Sequence, residues 1–144
     1  MRIPLQRLLS LTVVVTLAFM VSGCGGGPVM LRTEGQLLKG GEPFIPEEGQ
    51  NIQITFVPIT KDGKPAKRTY YADVDQETGM FVPDGAQKNG MPPGKYRVAV
   101  ALMKKKVDLF NGKFDEQQSP FVVDVDEDTT EIIIDLDKTA AEQS

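Results

Sequence analysis

A chain of 144 residues and 15.8 kDa is long enough for one domain with a sizeable core and too short for two ordinary ones. It is acidic, with a formal charge of −4 and a sequence pI of about 4.9, so phosphate backbones repel it and nucleic acid is not an expected partner. Histidine is absent and cysteine occurs once, which excludes Ser-His-Asp and Cys-His catalysis, His-ligated zinc, thiolate metal clusters and any intramolecular disulfide, and no cofactor is expected.

The first seven residues, MRIPLQR, carry Arg2 and Arg7 and no acid, and residues 8–21 are largely apolar. A positive n-region leading into an apolar h-region predicts an N-terminal signal helix. The run falls short of the roughly 20 residues that cross a bilayer core, and glycines follow it directly, so a spanning helix is the weaker reading. Val21, Ser22, Gly23 and Cys24 then resemble the lipobox of bacterial lipoproteins. That resemblance implies cleavage between Gly23 and Cys24 and a thioether-linked diacylglycerol on the Cys24 thiol. The alternative is a free thiol beside an ordinary signal-peptidase site. Without the leader the chain carries 14 basic and 20 acidic residues, a charge of −6. No patch drawn electrostatically to anionic lipid is then expected, and acyl chains would do the holding, at about 0.8 kcal/mol per buried CH₂. Gly25, Gly26, Gly27 and Pro28 read as a short tether.

The rest of the chain reads as strands. VMLRTEGQLL is an irregular first one, and NIQITFVP alternates cleanly, with Ile52, Ile54 and Phe56 on one face and Gln53 and Thr55 on the other. TYYADV and GMFV are shorter candidates. KYRVAVALM places Tyr96, Val98, Val100 and Leu102 on one face against Lys95, Arg97, Ala99 and Ala101. FVVDV and EIIIDL complete the set. Between them stand turn formers, among them Asp62 with Gly63, Asn89 with Gly90, and Pro92, Pro93 and Gly94. Helix is expected only as a turn or two within residues 104–118, and the tail KTAAEQS is expected to fray. The predicted organisation is a signal peptide over 1–23, a lipidated cysteine and glycine-rich tether over 24–28, a β-domain over 29–138 and a disordered tail over 139–144.

Four groups of residues are candidate sites. Asp124, Asp126, Glu127 and Asp128 offer hard oxygen ligands of the kind Ca²⁺ prefers, although their spacing is not that of an EF-hand and a solvated hairpin explains them as well. Asp73, Asp75 and Glu77 form a second acidic group, in a segment that also suits a tight turn. Lys104, Lys105 and Lys106 are the only basic run; they could meet phosphate or lipid headgroups, or simply end a strand in solvent and discourage edge pairing. Residues 107–120, after the lysines, make the longest stretch without strand character, with Leu109, Phe110 and Phe114, within a loop over 104–120. Such a connection is either a binding loop or a flap whose aromatics close one end of the core. No two carboxylates stand out as an acid–base pair.

The ordered motifs GQLLKGGEPF, ITFVPITKDGKPA, ADVDQETGMF, PPGKYRVAV and SPFVVDVDEDTTEIIIDL resemble the small transthyretin-like, carboxypeptidase-regulatory-like lipoproteins of planctomycete bacteria. The resemblance covers nearly the whole chain after Cys24. It implies an all-β, prealbumin-like (Ig-like) Greek-key β-sandwich of about seven strands, and it brings almost no chemistry. The hydrolases that share the fold use histidines, which are missing here. The expected function is a lipid-anchored, non-enzymatic envelope module, monomeric, with the membrane and other envelope proteins as partners. By resemblance to the lipoproteins of enteric bacteria, where Asp after the cysteine favours inner-membrane retention, Gly25 implies the periplasmic side of the outer membrane, with the inner membrane as the alternative. The competing readings are a periplasmic protein binding Ca²⁺ or a small ligand through the acidic loop or residues 104–120, and a hydrolase built only from Asp, Glu, Lys or Arg.

Overall fold

The structure is a computed structural model that describes residue 27 and residues 29–64, 66, 68–84 and 89–144. The signal peptide and Cys24 lie outside the described residues. Ten strands follow in chain order: β1 (Glu34–Lys39), β2 (Glu42–Pro43), β3 (Asn51–Pro58), β4 (Tyr70–Val74), β5 (Met80–Asp84), β6 (Gly94–Lys104), β7 (Val107–Asp108), β8 (Val122–Val125), β9 (Glu131–Asp135) and β10 (Glu142–Gln143). Among the described residues there is no helix, so the helical turns expected within 104–118 are absent and that segment is the β6–β7 hairpin followed by a series of tight turns. Seven strands have four or more residues and three have only two.

The long strands form where alternation is strictest. In β3 and β6 the buried residues face one another directly: Ile52 opposite Leu102, Ile54 opposite Val100 and Phe56 opposite Val98. A slip of either strand by one residue would turn its three inward residues to the other face, so burial holds the register. The inner rings pack by their edges, with Phe56 6.3 Å from Tyr96 and Tyr70 5.9 Å from Tyr96, both near perpendicular. The Tyr96 hydroxyl donates to the Pro92 carbonyl, which satisfies its one polar atom inside the core. Phe81, 6.1 Å from Phe56, needs space on β1. It lies opposite Gly35, where any Cβ would stand 2.2 Å from its ring.

The strands form one mixed sheet in the order β10-β9-β1-β5-β4-β3-β6-β7, with β2 beside β1 and β8 beside β6. All pairs are antiparallel except β1 with β9, which runs parallel over five residue pairs from Glu34 and Glu131 to Leu38 and Asp135. The sheet curls until its ends approach. There the Gln143 amide accepts from Asp124 N–H and donates to Asp124 C=O, both at 2.8 Å, standing in for a neighbouring strand. The tail lies against the sheet as its last strand. β10 pairs with β9, and the Ser144 carbonyl accepts from Thr130 and Glu131 N–H. Its short polar sequence carries no signal of order because the partners lie on β8 and β9, far off in the chain. The first strand also starts later than expected: Leu31 makes only a bridge to Met91, and continuous pairing begins at Glu34.

Candidate functional site

The outer face of β3, β4 and β6 is where small and polar side chains meet solvent. Gln53 and Thr55 on β3 stand opposite Ala101 and Ala99 on β6, and Tyr71 on β4 stands opposite Thr55. Two alanines leave a trough in the sheet surface. A flap made by residues 109–121 forms one wall, because it lies along the free edge of β6: Val98 N–H donates to Phe121 C=O and Val100 N–H to Phe114 C=O, each at 2.9 Å.

Short-range polar bonds shape this flap. The Asp108 carboxylate accepts from Leu102 and Phe110 N–H on one oxygen and from Gly112 N–H on the other. Asp115 accepts from Gln117 and Gln118 N–H at 2.8 and 2.7 Å, and the Gln118 amide first, then that of Gln117, holds its carboxyl below the ordinary range. Arg97 Nη1 donates to Gln117 C=O at 2.5 Å, and the Ser119 hydroxyl, itself buried, donates to Val98 C=O. Beneath, Phe114 stacks on Phe121 at 5.3 Å, Phe110 meets Phe114 edge-on at 5.3 Å, and Phe44 lies 6.1 Å from Phe110. Residues 109–121 are thus a pinned flap whose Phe114 and Phe121 join the buried core, with Phe110 packed against it. Between flap and sheet is an open notch of about 190 Å³, lined by Gln53, Thr55, Ala99, Ala101, Asp108 and Asp115 among others. A neighbouring depression of about 360 Å³ shares Gln53 and Thr55 and continues towards Tyr71 and Gln76.

The acidic groups serve turns. Asp126 accepts from Asp128 N–H and from the Thr129 hydroxyl, and that hydroxyl is the main reason its carboxyl sits below the usual range. Asp124 lies on β8 and Asp128 in the hairpin to β9, and no group of three or more acids among the described residues is gathered to hold a metal ion. Asp75 is likewise depressed by Glu77 N–H and then the Thr78 hydroxyl, within the tight β4–β5 turn. Lys104, Lys105 and Lys106 form the tip of the β6–β7 hairpin, exposed and, among the described residues, in no ion pair.

Several structural side chains gave no sign in the sequence. Gln76 bonds both the N–H and the C=O of Ile52, as Gln143 does for Asp124. An amide side chain offers one donor group and one acceptor, as a peptide does, so either can substitute for a strand. Asp135, at 3% exposure, takes Gly40 and Gly41 N–H at 3.0 and 2.9 Å. A pattern of isolated Asp and Gln says nothing about which distant backbone they will meet. No known protein family, curated protein or solved structure matches the chain.

Proposed function

We propose that this chain is an envelope lipoprotein of the transthyretin-like, carboxypeptidase-regulatory-like kind, held to a membrane through Cys24 and working as a binding or structural module rather than an enzyme. The observation that carries the reading is the run Val21, Ser22, Gly23 and Cys24 behind a basic and then apolar leader. The first paired residue among the described ones, Leu31, follows a few residues later, a spacing that suits a short tether. A finer fold assignment is part of the proposal. β3, β4 and β5 follow one another and β6 returns beside β3, giving β6-β3-β4-β5, which is the strand order of a Greek key and supports a two-layer, prealbumin-like sandwich. The non-enzymatic reading is supported by the histidine-free sequence and by the use of Asp75, Asp108, Asp115 and Asp135 as acceptors for backbone N–H. A carboxylate engaged in this way is poorly placed to shuttle protons. We place the protein on the periplasmic side of the outer membrane.

Membrane fractionation tests the anchor. Cys24→Ala should move the folded protein from the membrane pellet to the soluble fraction after a high-salt wash, because the only thiol able to carry the diacylglycerol is gone. A folded variant that stays in the pellet would place the anchor elsewhere. The alternative, a small-ligand protein, has the notch beside the flap in its favour, and ligand-induced shifts of the Ala99 and Ala101 amide resonances would reveal it.

A further inference from the structure

The β6–β7 hairpin turns through two residues, Lys105 and Lys106, because Lys104 pairs with Val107. Both have left-handed backbone, with φ of 49° and 72°. A two-residue turn of this hand favours Asn-Gly, and an L side chain with a Cβ is disfavoured at each position. Two lysines therefore occupy the place where the fold itself would choose other residues, and strain of this kind gathers where a segment has work to do. The side chains beside them are also unusual for a solvated strand end. Val107 is 57% exposed and Leu109 40%, and Ile45, whose neighbour Phe44 packs near Phe110, is 53% exposed. Glu47 and Glu48 follow Ile45 and lower the net charge of this end, but neither is ion-paired with the lysines. Asp108, the acid on the hairpin itself, has its oxygens on backbone N–H groups.

We infer that this tip, Lys104, Lys105 and Lys106 with Val107, Leu109 and Ile45, docks on an anionic lipid bilayer, the ammonium groups reaching phosphates while the aliphatic side chains enter the headgroup boundary. Lysines among exposed aliphatics suit that interface, where the stem lies in the apolar layer and the charge at the phosphates. The net charge of the chain does not forbid it, since charges beyond about 8 Å are largely screened at physiological salt. The acidic hairpin at Asp126 and Asp128 joins β8 at the end that pairs with Gly94, the opposite end of β6 from Lys104.

The position of the tip gives an upright domain a second bilayer to meet. Leu31 bridges Met91 just before β6 begins, whereas the tip follows its last residue, and β6 has 11 residues, a span of about 33 Å. Resting on the proposed anchor at Cys24, residues 24–31 reach at most about 25 Å when extended. An upright domain therefore presents its tip away from the anchoring leaflet, to a second bilayer.

The test uses the lipid-modified full-length protein. Flotation with phosphatidylcholine vesicles reads the anchor alone. Clustering of those loaded vesicles with phosphatidylglycerol vesicles reads the tip; if the anchor fails, direct flotation with phosphatidylglycerol vesicles reads it instead. The decisive variant is Lys105→Asn with Lys106→Gly, which relaxes the turn and so should raise the thermal midpoint while removing two charges. Lipid engagement should fall about twenty-five-fold, from about a factor of five for each lysine, and wild-type engagement should weaken with salt. Engagement equal in both proteins, none in the wild type, or binding only to peptidoglycan sacculi would each overturn the proposal.

Discussion

Asp135 shows how much a single carboxylate can organise. It ends β9, is 3% exposed, and gathers the N–H groups of Gly40, Gly41 and Asp137 from the β1–β2 turn and from its own C-terminal side. The Asp137 amide first, then Gly40 and Gly41, hold its carboxyl below the ordinary range against the opposing effect of burial. Gly40 and Gly41 have φ of 62° and 85°, so this turn needs glycine's freedom as well as an acceptor. Since the folded-state pKa is depressed, the stabilisation is fully present above the ordinary carboxylate pKa and is lost as pH falls through the folded value. Asp135→Asn should therefore lower the urea midpoint at pH 7, and the gap to the wild type should narrow as the pH is taken below about 4, the ordinary aspartate value. Urea melts at pH 7 and pH 3 check this, and a gap that stays constant would mean that shape rather than charge holds the turn.

At the scale of the element, β6 was half legible. The alternation of Tyr96, Val98, Val100 and Leu102 places these four inward, and all four are buried. The opposite face is covered in part. Arg97 is only part-exposed and tied to the flap, and Ala99 is buried at 9%. Alternation reports which side chains share a face, whereas what later covers that face depends on where a distant segment lies. Val98→Ala should cost about 1 to 3 kcal/mol through lost transfer energy and a residual cavity. Arg97→Ala should cost about 1 to 2 kcal/mol, more than a free surface residue, because it releases a charge-assisted bond to the Gln117 carbonyl. Denaturant melts give both values, and limited proteolysis should cut the flap near Gln117 faster in the Arg97 variant alone. Equal protection in the two variants would mean that the flap is held by its phenylalanines and not by Arg97.

For the whole molecule, the closing contact is the Gln143 amide on Asp124, since no backbone pairing joins β10 to β8. Gln143→Ala should destabilise the protein by about 1 kcal/mol and speed hydrogen exchange at the Asp124 amide, while protection in β3 and β6 stays unchanged. Unchanged exchange at Asp124 would show that the edges hold without the amide. The sequence by itself determined that the described residues are all-β, which faces of β3 and β6 are inward, and where many of the turns between strands fall, because a period of two and the φ preferences of glycine and proline act between neighbouring residues. Only the tertiary structure decided that β9 lies parallel to β1, that a polar tail becomes a strand, that Gln76 and Gln143 substitute for missing strands, and that two lysines sit in left-handed backbone. Each of these joins or bends segments according to which edges meet when the curled sheet buries its apolar face, and no local run of residues carries that information.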